Sequence, residues 1–124
     1  MVKTTDSMQR VVLGIDLGGT KLSGALFSID GEPIHRTEIQ HGAKGGVETG
    51  SLVVKMVLDL KSHAQDHAYR AESIGICIPG ISNQEQRTVW APNIPEWEAY
   101  PLYKELRDAI NNPAIPISIE SDRN

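Results

Sequence analysis

An aspartate two residues ahead of paired glycines, followed by a threonine and a lysine, forms the segment Asp16-Leu17-Gly18-Gly19-Thr20-Lys21, and a second aspartate, Asp122, stands near the other end of the chain. These residue types suit phosphate chemistry. Paired glycines are expected to supply the positive φ angles of a tight turn, and their missing side chains leave backbone N–H groups open to an anion. Thr20 and Lys21 add a hydroxyl and a cation at the same spot. An aspartate just before the turn suits a hydrated Mg²⁺, which keeps several waters and takes few carboxylates. The same residues also read as a plain hairpin with Asp16 as turn former, so the motif counts only with support elsewhere. Asp59, His63 and His67 recur at i+4 spacing and could bind a metal, although a solvated polar helix face is the commoner use of such a pattern. The single cysteine, Cys77, excludes an intrachain disulfide and a multi-cysteine zinc site; between Ile76 and Ile78 it reads as a buried apolar residue.

The elements that must position these residues follow from hydrophobic period and turn signals. Val11 to Leu17 is nearly continuous in apolar residues, as in a strand buried on both faces, and Lys21 to Ile29 resumes as a second strand. Asp30-Gly31-Glu32-Pro33 is a turn, and Ile34 to Gln40 alternates as a third, more exposed strand. His41 to Gly46 reads as a flexible loop. A helix is expected from Thr49 or Ser51, with Val53, Val57, Leu60, Ala64 and Ala68 at i+3 and i+4 steps. Glu72 to Pro79 is a fourth strand, central and parallel to the first. A long non-repeating connection from Ile81 to Tyr100 carries Trp90, Asn93 and Trp97, and loops of that length usually serve a function. Trp90 and Trp97 could offer a stacking face to a ligand, although packing the connection onto the sheet is the commoner use of such residues. Pro101 opens a short helix, Leu102 to Ile110, and Ala114 to Ile119 is a fifth strand that delivers Asp122. The order β-β-β-α-β-α-β is an α/β arrangement of the ribonuclease-H-like (actin-like ATPase) type with a mixed sheet. Its parallel strands place their carboxyl ends around one crevice, so Asp16 and Asp122 converge from opposite ends of the sequence.

Composition narrows the classes. A chain of 124 residues is one domain's worth, with 40% hydrophobic and 23% charged residues and no apolar run near the ~20 residues of a membrane span. A net charge of −4 argues against broad nucleic-acid binding, which relies on clustered Lys and Arg. The start of the chain is polar and shows no secretory signal, so the cytoplasm is the expected compartment. Residues 1–9 read as a disordered leader and 10–124 as the folded unit.

The form Gly14-Ile15-Asp16-Leu17-Gly18-Gly19-Thr20-Lys21 resembles the phosphate motif of the sugar-kinase, heat-shock-protein and actin superfamily, and is most similar to that of the ROK family (repressor, open reading frame, kinase). Three further stretches resemble that family in order and spacing: Ile78-Pro79-Gly80, Ala91-Pro92-Asn93-Ile94-Pro95-Glu96-Trp97 and Ile119-Glu120-Ser121-Asp122-Arg123-Asn124. The resemblance implies an ATP-dependent hexose kinase. Asp16, Gly18, Gly19, Thr20 and Lys21 would then hold phosphate and Mg²⁺, Gly80, Asn93, Ser121 and Asp122 would contact the sugar, and Asp122 would act as general base. It implies ATP and a hexose or N-acetylhexosamine as ligands, no nucleic acid or membrane partner, and allows a homodimer of the full-length protein. Ser121 stands where the family commonly has Asn, and Asn83-Gln84-Glu85-Gln86 replaces a turn that usually carries Asp and Gly, which leaves the identity of the sugar open. The family's second lobe, with its adenosine pocket and its zinc motif, would follow Asn124, so the chain reads as the N-terminal lobe, expected to be inactive in isolation. The alternative is the sugar-sensing domain of a ROK-type transcriptional regulator.

Overall fold

The computed structural model of the protein describes residues 8–42 and 45–121. Three strands open it as an antiparallel meander: β1 (Gln9–Leu17), β2 (Lys21–Ser28) and β3 (Pro33–Gln40). Helix α1 (Gly46–Asp66) crosses to β4 (Tyr69–Ile78), which pairs parallel to β1. A small hairpin, β5 (Ile81–Asn83) and β6 (Thr88–Trp90), precedes α2 (Leu102–Ala109) and β7 (Ile117–Ser121), the last pairing parallel to β4. The five-stranded sheet runs β3-β2-β1-β4-β7 and is mixed, as expected from the sequence.

Most elements fall where the apolar period puts them, and the differences have local causes. The helix begins at Gly46, ahead of both expected caps, because Thr49 acts from inside: its buried hydroxyl oxygen accepts the Gly45 N–H at 2.8 Å. Ala68 is not helical. It takes φ 58° in the two-residue turn into β4. The expected structureless connection from Ile81 holds the β5–β6 hairpin, whose turn closes when Asn83 Oδ1 accepts the Gln86 N–H at 3.0 Å and Asn83 O accepts the Arg87 N–H at 2.7 Å. Gln9, assigned to the leader, is the first residue of β1, while residues 1–7 of that leader lie outside the described residues.

Burial on the sheet is one-sided. Val11, Leu13, Ile15 and Leu17 of β1 and Ile74, Ile76 and Ile78 of β4 are buried, and α1 packs on β1, β2 and β4 through Val53, Met56, Val57 and Leu60. The opposite face is an open groove of about 840 Å³ lined in part by Gly14, Asp16, Ser23, Phe27, Gly75 and Cys77. Two expectations are therefore corrected: the central strands are not buried on both faces, and Cys77 is exposed, because the period of two turns it away from Ile76 and Ile78. Among the described residues no helix is long and apolar enough to cross a membrane.

The segment between β6 and α2 is clamped to the start of α1. Ala91, Ile94 and Trp97 are buried at three-residue spacing, the Trp97 indole N–H donates to the Gly46 carbonyl at 3.0 Å, and the Gly46 N–H donates to the Pro95 carbonyl at 2.8 Å. Gly45 and Gly46, expected in a flexible loop, instead take positive φ of 78° and 51°; a side chain at 45 would run into Pro95, and one at 46 would have to displace the Glu96 carboxylate. Gly50 lies beneath the Tyr100 hydroxyl just as closely. That phenol stacks on Trp97 with centroids 4.3 Å apart and donates to Glu105 at 2.5 Å. Gly50→Ala should thus force Tyr100 out of its seat and cost about 1–3 kcal/mol, read as a lower midpoint in denaturant unfolding.

The metal option for Asp59, His63 and His67 is not realised in this geometry. Asp59 pairs with Lys55 at 2.9 Å, and among the described residues no cluster of three or more His, Cys, Asp or Glu is placed to hold a metal ion. The histidines build a column of rings instead: His35 of β3 stacks on His63 at 3.8 Å, His63 on His67 at 4.1 Å, and His67 on Tyr69 at 6.1 Å. Desolvation lowers the His63 pKa from its ordinary 6.5, repulsion from His35 and His67 adds to this, and Asp66 opposes it. Below about pH 6.5 the unfolded chain therefore binds more protons at this residue than the folded one. Stability should fall as pH drops from about 6.5 through the lowered folded value, and His63→Gln should flatten that part of a plot of Tm against pH.

Candidate functional site

Strands β1, β4 and β7 are parallel, so their C-terminal ends form one edge. The register sets Asp16 beside Cys77 and Cys77 beside Glu120. At the usual strand spacing Asp16 and Glu120 are thus ~10 Å apart on the sheet, both exposed. Asp16 ends the open face two residues ahead of the turn into β2, and among the described residues no hydrogen bond or ion pair engages its carboxylate. Asp122, the expected base one residue beyond β7, lies outside the described residues, as do Arg123 and Asn124.

The turn is closed by the Gly18 N–H, which donates to the Lys21 carbonyl at 2.8 Å. It does not use positive φ at either glycine, contrary to expectation; among the described glycines only Gly31, Gly42, Gly45 and Gly46 do. A side chain at Gly18 would crowd the Lys21 carbonyl at 3.1 Å, whereas one at Gly19 would meet nothing within 4 Å. Neither backbone strain nor internal packing therefore calls for glycine at position 19, and what its bareness leaves open is approach from outside. Among the described residues the Gly19 and Thr20 N–H groups meet no backbone acceptor. Thr20 is exposed beside them, and the Lys21 ammonium lies 3.4 Å from Glu38 of β3 in an exposed pair. Such a pair is weak enough to open for a more highly charged ligand.

The sugar-contact candidates are spread along the same edge. Gly80 follows β4 and has an internal reason to be glycine, since the Trp90 carbonyl and Ala91 fill the space of a side chain. The Ser121 hydroxyl oxygen accepts the Ser82 N–H at 3.2 Å, tying β7 to the hairpin, and Gln84 adds a bond to the Ile119 carbonyl at 3.1 Å. Asn93 is exposed on the turn held by buried Ala91, Ile94 and Trp97. The two tryptophans separate: Trp97 is buried in the clamp, and Trp90 stays 47% exposed beside Ile81.

Sequence reasoning missed His41 and Glu38. His41 is 1% exposed, and its Nε2 donates to the Gly18 carbonyl at 2.8 Å. Its signal was weak, a lone histidine after an alternating strand and before Gly42. Only the register, which continues Lys21 opposite Gln40, puts it against the turn.

The residues present fit Mg²⁺ in one form. A single exposed carboxylate beside open amides suits a hydrated ion shared with a phosphate ligand, and not a cage of protein ligands.

The profile of the ROK family matches residues 12–124. The chain is similar to the xylose repressor of Bacillus subtilis (strain 168), 26% identical over 113 residues, covering 90% of this chain and 28% of the repressor. It is also similar to the glucokinase of Thermotoga maritima, 31% identical over 96 residues, covering 77% of this chain and 29% of that enzyme. Its fold matches that of a ROK family transcriptional regulator, a homologue of the E. coli MLC protein, with a TM-score of 0.78 at 23% identity over 92% of this chain and 28% of that one. It matches a ROK family glucokinase from Streptomyces griseus, solved with glucose and AMPPNP, with a TM-score of 0.69 at 23% identity over 92% of this chain and 34% of that one. The chain thus spans about three-tenths of the length of the curated relatives it matches. With the profile running over nearly all of the sequence and the sheet order agreeing, this chain belongs to the ROK family.

Proposed function

We propose that this chain is the N-terminal lobe of an ATP-dependent sugar kinase that transfers the γ-phosphate of ATP to a hydroxyl of a hexose or N-acetylhexosamine. The observation that carries the reading is the Asp16–Thr20 edge: an exposed carboxylate, two N–H groups without a backbone acceptor among the described residues, and a glycine at 19 that the surrounding fold does not require. These are the groups a polyphosphate with its hydrated cation would use. The likeness to glucokinase, and to a structure holding glucose and AMPPNP, supports the same ligands.

In this reading the turn amides of Gly19 and Thr20 donate to phosphate oxygens, and Asp16 is the residue that would hold the hydrated Mg²⁺. Bound Mg²⁺ supplies charge neutralisation on the phosphates. Asn93, carried on its clamped turn, hydrogen-bonds the sugar. The Asp122 carboxylate accepts the proton of the attacking sugar hydroxyl, so the oxygen gains nucleophilicity as its bond to phosphorus forms and the bond to the ADP leaving group breaks. The alternative, the sugar-sensing domain of a regulator, is favoured by the likeness to the xylose repressor and to the MLC homologue. It would share the sugar contacts and need no phosphoryl transfer.

Steady-state kinetics on the full-length protein separates the two. A kinase turns over sugar with ATP, and Asp122→Asn should lower kcat by about 10²–10⁴ with sugar affinity less affected. Sugar binding with no turnover would instead support the regulator. Asn93→Ala should raise KM for sugar by the equivalent of ~1–2 kcal/mol, since it removes hydrogen bonds made in ground and transition states alike. Asp16→Asn should raise the Mg²⁺ concentration needed for half-maximal rate while KM for sugar stays close to native.

A further inference from the structure

We propose that His41 is a positioning residue for the phosphate turn, holding the Gly18–Gly19 peptide so that the Gly19 N–H faces the ligand; this rests on the reading of that turn as a phosphate site. The chain leaves β3 at Gln40, which pairs with Lys21, so the next residue, His41, comes up against Thr20. The His41 N–H then donates to the Thr20 carbonyl at 2.8 Å, and the Gly42 N–H reaches the same oxygen at 3.2 Å. Gly42 takes φ 65° there, a conformation that favours glycine. The imidazole completes the clamp by donating Nε2–H to the Gly18 carbonyl at 2.8 Å. A carbonyl only accepts, so Nε2 carries the proton.

The consequence follows from peptide geometry. The Gly18 carbonyl and the Gly19 N–H belong to one planar trans unit and point in opposite directions. Tying the oxygen to a ring buried against β3 therefore turns the N–H the other way, where it meets no backbone acceptor among the described residues. Gly19 has no side chain, no neighbour within 4 Å of one and no positive φ to lock it, so its own conformational entropy works against order. His41 supplies that order from outside the turn. It touches the carbonyl side and leaves the ligand side clear.

The test compares His41→Leu, which fills the volume without a donor, with His41→Gln, which returns an N–H donor at similar reach. In the full-length protein the Leu variant should raise KM for Mg·ATP about tenfold, the scale of one lost buried hydrogen bond, with KM for sugar within about twofold, and Gln should restore most of the loss. A merely structural role would move both KM values together, and that result, or a Leu variant with native KM for Mg·ATP, overturns the proposal. NMR of the wild-type protein gives a readout that needs neither variant folding nor catalysis. His41 should carry a proton on Nε2, and its signal should shift together with the Gly19 amide on titration with Mg·pyrophosphate. A Gly19 amide that shifts while His41 does not overturns the inference alone. A pyrophosphate titration that moves neither, with no turnover of ATP, overturns the phosphate reading and the inference with it.

Discussion

Parallel pairing of β1 with β4 is the constraint on which the site depends. Parallel neighbours cannot be joined by a tight turn, so the chain must leave the sheet and return, and α1 is the crossover that does this. Because that helix packs on β1, β2 and β4, the side chains it covers are the alternate apolar set, Val11, Leu13, Ile15 and Leu17 with Ile74, Ile76 and Ile78. The intervening set, Gly14 and Asp16 with Gly75 and Cys77, is left on the open face by the strand period alone. A one-residue slip in register would bury Asp16 against α1 and expose Leu17, at a cost of several kcal/mol in each direction. The position of the carboxylate is thus a consequence of core burial.

The site's loops are held by contacts to the same helix. Trp97 seats on the start of α1 and stacks on Tyr100, and glycines at 45, 46 and 50 allow that approach by having no side chain to displace it. Burial raises the pKa of the Tyr100 phenol and the bond to Glu105 adds to this, so the hydroxyl stays protonated and keeps donating. At the far end of the segment Arg107 of α2 donates to the Ile115 carbonyl at 2.6 Å, fixing the entry to β7. Asn93 and the end of β7 are therefore positioned by packing that begins away from the edge they serve.

Glycine plays opposite parts on the two sides of the edge. At Gly80 and Gly45 the fold itself fills the space a side chain would take, so these residues are explained by packing whatever they also contact. At Gly19 it does not, and the open turn is tied instead through its neighbours, by His41 and Gly42 just after β3. The same residue type in the same sequence thus marks a packing demand in one place and access in another, and only the surroundings distinguish them.

Much of the fold was legible in the residues. Apolar period marked all five strands of the sheet and α1, because burial of one face is a local pattern that a strand or helix must repeat along its length, and Pro101 marked the start of α2. The ROK resemblance picked out Asp16, Gly80, Asn93 and Ser121, and the sheet order sets Asp16 and Ser121 at the ends of parallel strands. What the sequence left hidden depends on partners distant along the chain. The side of the sheet that Cys77 faces, the pairing of Lys21 with Glu38 and the early start of α1 under Pro95 each depend on which element packs where. The seat of His41 against Gly18, 23 residues away, depends on the register between β2 and β3. The sequence by itself determined the elements, their order and the chemistry available at the strand ends, since these reside in local pattern and residue type. Tertiary structure alone decided which groups are held and which are left open to a ligand, because hydrogen-bond partners are assigned by register and packing across the chain.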